Sequence, residues 1–343
     1  MEMLYAGIDI DKNVFQAVVL DPDSGELSAS RFEPSRELLG EWASHWGGRL
    51  AGVAIESTTG WRWVARELQA RGFEVQLIDP GRASALRGRR RRPKTDKLDA
   101  RRLALILARD LLSECEAWIP PAQIQLLRDQ TRLRKSLVNS RTAWAQRLHA
   151  LLTHEGWPCS RGRLLTREGH RWVTALELHP AVRAQIDVMP TIIEALDEQV
   201  ALVERELRRF ARRDSRRQAL QTILGVGPIF SCHLLAEIGE ASRFKRSRQV
   251  VRASGLDPAV IESADNKRRG RLAEQGSPHL RWVLVEAANQ RNRTSSPDHA
   301  LDASTAARCG RGRARLTVAR KIARRAYHLL SAGEAAELEN CTT

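Results

Sequence analysis

Leu4-Tyr5-Ala6-Gly7-Ile8-Asp9-Ile10-Asp11-Lys12-Asn13 decides how the first third of the chain is read. An apolar run of strand length ends on an aspartate and gives way to turn residues. Residues 14–20 repeat the strand pattern, and Asp21-Pro22-Asp23-Ser24-Gly25 behind them is turn chemistry. Residues 27–32 make a third strand. The pattern then changes to helix–strand units. Ser35 caps a helix over 37–46, and 51–55 is a buried strand. Residues 61–70 are helical and closed by Gly72, and the strand at 73–78 is stopped by Asp79-Pro80-Gly81. Three strands joined by turns, followed by helix–strand units, predict a mixed α/β sheet.

Carboxylates stand at the ends of these elements. Asp9 closes the first strand and Glu56 closes Gly-Val-Ala-Ile-Glu. A carboxylate beside a buried strand is costly unless something compensates its charge, and a divalent metal is the usual compensation. Asp96 and Asp99 lie three apart at the start of a helix and so share a face. Taken singly, Asp96 reads as part of an N-cap after Thr95, and Asp99 as a first-turn acid favoured by the helix dipole. Taken as a set in a basic protein, the four acids form an oxygen-rich cage suited to Mg²⁺, with Mn²⁺ the other choice, and to in-line phosphoryl displacement. Asp11 reads as turn chemistry beside Lys12 and Asn13 and is left out of the site.

The charge balance points to a polyanionic partner. The 343 residues include 56 Lys+Arg against 41 Asp+Glu, a net charge of +15. Nucleic acid fits better than a membrane because no long apolar span is present, which excludes a transmembrane protein. Arg87, Arg89, Arg90, Arg91, Arg92 and Lys94 form a run free of acids that suits phosphate contact. Between residues 301 and 330 eight basic residues (Arg308, Arg311, Arg313, Arg315, Arg320, Lys321, Arg324 and Arg325) face one acid, Asp302, again a nucleic-acid footprint. The N-terminus lacks the features of a secretory signal. Five scattered cysteines without a CxxC pair argue against disulfides and zinc, so the cytoplasm is the expected compartment.

Residues 96–112 read as helix. A long helix follows Pro120-Pro121 and runs to about residue 154, roughly 50 Å if continuous. A second long helix is expected after Pro190. Its apolar positions Ile193, Leu196, Val200, Val203, Leu207 and Phe210 step by three and four, a heptad seam. Two such helices make a coiled-coil arm that either folds back on itself or pairs protomers. Further on, Leu224-Gly225-Val226-Gly227-Pro228 separates two helical patterns, and its Gly225 and Gly227 offer bare backbone N–H groups to a phosphate. Many helix corners use glycine in the same way.

Gly7-Ile8-Asp9-Ile10-Asp11-Lys12, Ile55-Glu56-Ser57-Thr58-Thr59-Gly60-Trp61 and Lys94-Thr95-Asp96-Lys97-Leu98-Asp99-Ala100 resemble the acidic motifs of the insertion-sequence-110/1111 transposases. Leu224-Gly225-Val226-Gly227-Pro228, Ala236-Glu237-Ile238-Gly239, Arg243-Phe244 and Ser254-Gly255-Leu256-Asp257-Pro258 resemble that family's C-terminal part. The resemblance implies an α/β plus α fold: a RuvC-like, RNase H-fold catalytic domain (1–115) with an Asp-Glu-Asp-Asp set, a coiled-coil arm (116–215), and a helical transposase domain (216–343) with a helix-hairpin-helix-like turn. It implies donor and target DNA as substrates, a structured guide RNA that pairs with both, and a homo-oligomer built as a dimer of dimers. It also implies a serine nucleophile, which forms a phosphoserine link to DNA and completes the acid site of another protomer.

In that family the serine follows a Gly-Leu-x-Pro segment by a few residues, usually as Ser-Gly. Here the position is Ser263, followed by Ala264. Ser254 is the competing candidate. By spacing alone either serine reads as a cap or turn residue. Arg268, Arg269 and Arg271 follow and suit DNA-backbone contacts. Trp61 and Trp63 read as core residues rather than base-stacking platforms. The competing functions are a RuvC-type nuclease that uses water, and a catalytically dead RNA- or DNA-binding protein.

Overall fold

The computed structural model describes residues 3–86, 95–263 and 266–342; over 259–271 and 336–342 it describes the backbone alone. The chain separates into two compact units, 1–119 and 120–343.

The first unit is one six-stranded sheet between two helical layers. Its elements are β1 (Leu4–Ile10), β2 (Phe15–Leu20), β3 (Leu27–Phe32), α1 (Arg36–Trp46), β4 (Leu50–Glu56), α2 (Trp61–Ala70), β5 (Val75–Ile78), α3 (Pro80–Ala85), α4 (Asp96–Ala108), α5 (Leu112–Cys115) and β6 (Glu116–Ala117). The strand order is β3-β2-β1-β4-β5-β6. The first three strands pair antiparallel, β1-β4-β5 pair parallel, and β6 is antiparallel to β5.

Strand alternation sorts the side chains. Ala6, Ile8, Ile10, Val53 and Ile55 enter a core with Leu39 and Trp42 of α1 and Val64 and Leu68 of α2. Trp61 and Trp63 pack against this core, with Trp63 stacked on Phe15 at 5.5 Å, as expected of core residues. On the other face Ala54 and Ile78 meet Leu103, Ile106 and Leu107 of α4. One detail extends the sequence reading and one differs from it. Asp79-Pro80 stops β5 by starting a helix: the Arg82 amide donates to Asp79 Oδ1 at 2.9 Å, and Pro80 takes the first helical position. The helix from Asp96 ends at Ala108 rather than 112, because Asp110 turns to φ 52.

The second unit holds α6 (Ala122–His154), α7 (Arg167–Thr174), α8 (Pro180–Arg213), α9 (Ser215–Leu220), α10 (Pro228–Ile238), α11 (Ser247–Ala253), β7 (Pro258–Ser263), β8 (Asn266–Leu272), α12 (Pro278–Ala287), α13 (His299–Cys309) and α14 (Arg311–Thr342). Helices α6 and α8 run antiparallel within one chain: Arg134 pairs with Glu204 at 2.7 Å and Arg141 with Asp197 at 2.5 Å, so one helix ascends as the other descends. Ile186, Ile193, Val200 and Leu207, spaced by seven, are buried, whereas Phe210 at the end of the expected seam is exposed. Helix α8 begins at Pro180, well before the expected start, with His179 capping it, and it carries Pro190 inside. Among the described residues, Cys115, Cys159, Cys232 and Cys309 are free, and no helix is long and apolar enough to cross a membrane.

Candidate active site

Parallel pairing decides where the first two acids fall. Ile8 of β1 lies opposite Ile55 of β4, so Asp9 and Glu56 come one step later on neighbouring strands and share a face. Strands in a sheet are about 4.8 Å apart. Both residues are half-buried.

Helix α4 lies on this same face, and Gly7 is why it lies so close. A Cβ at Gly7 would come within 2.1 Å of the Ala100 carbonyl oxygen and 2.6 Å of the Ala104 nitrogen. Only a residue without a side chain lets β1 touch the helix backbone there. The stripe of α4 that faces the sheet runs through Ala100, Leu103, Ala104 and Leu107, all buried. Continued one turn back, the same stripe reaches Asp99 and Asp96. Asp9 lies two residues beyond Gly7 on the strand, towards that first turn. Asp99 is half-buried and Asp96 is exposed. The cap is Thr95, whose hydroxyl accepts from the Leu98 amide at 3.3 Å, so Asp96 opens the helix rather than capping it. The positive end of the helix dipole favours both acids. Asp11 turns its Oδ1 to the Asn13 amide at 2.9 Å, a local turn.

The backbone thus brings Asp9, Glu56 and the first turn of α4 to one end of one sheet face. An all-oxygen donor set suits a hard divalent cation. The side chains themselves are not gathered around one: among the described residues no three acidic, histidine or cysteine groups stand together as a metal site. Asp9, Glu56 and Asp99 each interact with other groups.

Ser263 is the last residue of β7 and pairs with Asn266 of β8; Ala264 and Asp265 between them lie outside the described residues. Arg268 and Arg269 stand opposite Ile261 and Val260, and Arg271 follows on β8. Ser254 is a different case. It is fully buried, and its hydroxyl donates to the Val251 carbonyl at 2.6 Å, closing α11. A serine with no solvent access and a committed proton is a structural residue. Arg87, Arg89, Arg90, Arg91, Arg92 and Lys94 lie outside the described residues.

The glycine turn divides in two. Gly225 has φ +90, and a Cβ there would lie 2.2 Å from the Ala287 carbonyl oxygen, so packing against the end of α12 already requires a glycine. Gly227 is exposed, with nothing within 4 Å of a Cβ among the described residues. The basic residues of α14 are also partly occupied. Arg325 and Lys321 bind Asp298 at 2.5 and 3.0 Å, and Arg320 Nε donates to the Leu256 carbonyl at 2.8 Å.

One buried polar network escaped the sequence reading. Glu237 is 3% exposed and receives both Nε and Nη2 of Arg132, at 2.9 and 3.1 Å, and the Ser277 hydroxyl at 2.7 Å. Burial pushes its carboxyl up, but these partners and the charge of Arg128 outweigh that and hold it below the usual range. The visible signal was an acid inside the apolar run Leu234-Leu235-Ala236-Glu237-Ile238. A charge in a helix buried all round implies a fixed partner.

Comparison with known proteins covers both units. A family profile of DEDD type, described as "Transposase", matches residues 6–155, and one described as "Transposase IS116/IS110/IS902 family" matches 217–302. The chain is 28% identical over 301 residues to a probable family 20 transposase of Pseudomonas aeruginosa, covering 84% of each. It is 26% identical to the transposase for insertion sequence element IS1111A of Coxiella burnetii, over 82% of this chain and 76% of that one. It is also 26% identical to the transposase for IS1328 of Yersinia enterocolitica, over 82% of each. The profiles together span more than half of the sequence, including both the acid-bearing strands and the β7–β8 hairpin, and the chain belongs to the IS116/IS110/IS902 family of transposases, enzymes that cut and rejoin DNA.

Proposed function

We propose that this transposase cuts DNA with Ser263 as nucleophile at a site completed by Asp9, Glu56, Asp96 and Asp99, under the direction of a structured RNA encoded by its own element. The observation that carries the reading is the strand register: Asp9 and Glu56 adjoin on one face, at the end where α4 presents Asp99. The strand order, antiparallel through β3-β2-β1 and parallel through β1-β4-β5, supports an RNase H-like reading of the first unit.

The chemistry follows from the residue types. The Ser263 hydroxyl loses its proton and its Oγ attacks the scissile phosphorus. One P–O bond to a deoxyribose oxygen breaks, and the departing oxygen takes up a proton. The phosphoserine ester keeps the bond energy of the phosphodiester, so the reverse attack by another deoxyribose hydroxyl rejoins a strand without a nucleotide cofactor. A DEDD transposase domain implies dependence on a divalent metal; Asp9, Glu56, Asp96 and Asp99 would hold Mg²⁺ or Mn²⁺, which would supply polarisation of the phosphate. Arg268, Arg269 and Arg271 contact the DNA backbone beside the serine, and the 87–94 run and Gly227 contact phosphates elsewhere.

The acids and the serine belong to separate compact units. On this reading the site is shared between protomers, and a dimer of dimers assembles on donor and target DNA. The cytoplasm is the compartment this reading implies.

The test is strand exchange with purified protein, Mg²⁺ and the RNA transcribed from the DNA flanking the coding region. Wild type forms a covalent protein–DNA adduct and exchanged strands, whereas Ser263→Ala and Asp99→Ala give neither. A Ser263→Ala protein that still cuts would assign the cut to water, as in a RuvC-type nuclease. RNA binding with no cutting by the wild type would leave a binding protein alone.

A further inference from the structure

The hairpin that carries Ser263 is held at its root by side chains from other helices. Its two legs meet where residues 253–257 enter and 273–277 leave. Three backbone bonds join them: Ala273 N–H to Asp257 O at 2.8 Å, Glu274 N–H to Gly255 O at 3.3 Å, and Ser277 N–H to Ala253 O at 2.8 Å. The junction is tight. A Cβ at Gly255 would lie 2.5 Å from Arg281 Nη1, and one at Gly276 would lie 2.3 Å from the Ala253 carbonyl oxygen; both glycines have positive φ. Glu274 also has positive φ, at 55.

Arg281 of α12 bridges the two legs. Its Nη1 donates to Ser254 O on the entering leg at 3.2 Å and to Glu274 O on the leaving leg at 3.3 Å. Arg320 of α14 reaches the entering leg from another direction, donating to Leu256 O at 2.8 Å. Leu256 and Ser254 are fully buried, so the root sits in the core.

Beyond the root the hairpin is only two strands wide. From Asp257 to Ser263 at about 3.3 Å per residue, the serine stands some 20 Å from the clamp. A tilt of about 10° at the root would move the end of such a lever by roughly 3.5 Å. In-line attack tolerates far less, since a misplacement of about 1 Å costs on the order of 10²-fold in rate. A two-stranded ribbon does not hold its own direction.

We infer that Arg281 is a positioning residue for the cutting step: by tying the two legs of the β7–β8 hairpin at their root, with Arg320 as second anchor, it sets the aim of Ser263. The inference rests on Ser263 being the nucleophile. Arg281 touches no reacting atom. Its effect is on how often the serine is presented in line.

The experiment compares full-length wild type, Arg281→Met, Arg281→Lys and Ser263→Ala. It measures the rate of covalent adduct formation on element-end DNA with Mg²⁺ and the flanking RNA, the binding of that DNA, the melting temperature, and backbone amide exchange. Arg281→Met is expected to form the adduct on the order of 10²-fold more slowly. DNA binding and melting stay near wild type, and amide exchange quickens within 255–275 while α10 and α14 stay protected. Arg281→Lys, which keeps a donor, regains a large part of the rate. Arg281→Met at the wild-type rate, or with no local change in exchange, overturns the positioning role. So does a rate loss that tracks a general loss of folding and that lysine does not rescue. An adduct that persists in Ser263→Ala removes the nucleophile itself, and the inference falls with it, by a result separate from the arginine variants.

Discussion

Asp9 and Ser263 are held in contrasting ways. Asp9 lies on a central strand, paired to Gln16 on one side and next to β4 on the other, with α4 laid over its face. Ser263 ends one strand of a two-stranded hairpin whose fixed point is its root. The acids inherit their position from the packing of a whole layer, so damage to that packing destabilises the unit and the site together. The hairpin end inherits its position from a few bonds at its root, so on the proposed reading the aim of Ser263 is lost without unfolding anything.

The largest effect is expected at Gly7. Valine there drives a side chain into the Ala100 carbonyl and must lift α4 off β1. Such overpacking costs about 3 kcal/mol. Thermal melting of the first unit falls, and strand exchange is lost with it because Asp99 leaves the end of the sheet face that carries Asp9 and Glu56. A Gly7→Val protein that melts lower yet exchanges strands normally would separate the acids from the layer said to fix them.

The second tests the core of the other unit through pH. His233 is 1% exposed, and neither ring nitrogen has a hydrogen-bond partner among the described residues. Burial, with a further push from Arg134, takes its pKa from 6.5 down to about 3. The folded chain keeps the ring neutral, while the unfolded chain takes up a proton below 6.5. The unfolded state therefore binds more protons between these values, and stability falls as pH falls through that window. At pH 5 the penalty is about 2 kcal/mol. Replacement by phenylalanine, which keeps the edge contact with Trp282, removes it. Denaturant unfolding at pH 7 and pH 5 is expected to show a smaller acid loss for His233→Phe than for wild type. Equal losses would mean that the folded protein accommodates the charged ring.

The smallest effect sharpens the choice between serines. Ser254→Ala removes one buried hydrogen bond and is expected to cost about 1 kcal/mol while leaving adduct formation intact. Ser263→Ala is expected to do the reverse, abolishing the adduct at unchanged stability. Loss of the adduct in Ser254→Ala at normal stability would exchange their roles.

Much of the first unit was legible because it repeats simple periods. Apolar runs of strand length separated by turn residues mark β1 to β3, and the acids at strand ends stand out against them. The spacing of Asp96 and Asp99 from Ala100 and Leu103 puts them on one stripe. Close approach was not legible: Gly7 reads as one more small strand residue until α4 is seen against it. Proline served at one boundary and misled at another: β5 stops at Ile78 just before Asp79-Pro80, whereas Pro190 sits inside a helix expected to begin after it. The hairpin was invisible because residues 258–272 carry charges and small residues without a clean alternation. Its root depends on Arg281, one helix onward, and on Arg320, 64 residues from the carbonyl it binds, and no local pattern announces such contacts. The basic C-terminal helix shows the same limit: charge counts do not reveal that Arg325 and Lys321 are committed to Asp298.

The most direct measurement traps the covalent intermediate on element-end DNA, digests it, and reads the nucleotide-bearing peptide by tandem mass spectrometry, for wild type and for Asp9→Asn. The expected result is a nucleotide on Ser263 in the wild type and none in Asp9→Asn, with both proteins folded and binding DNA. A nucleotide on another residue, or one on Ser263 that survives Asp9→Asn undiminished, would contradict the claim that these two distant parts of the chain act on one phosphate.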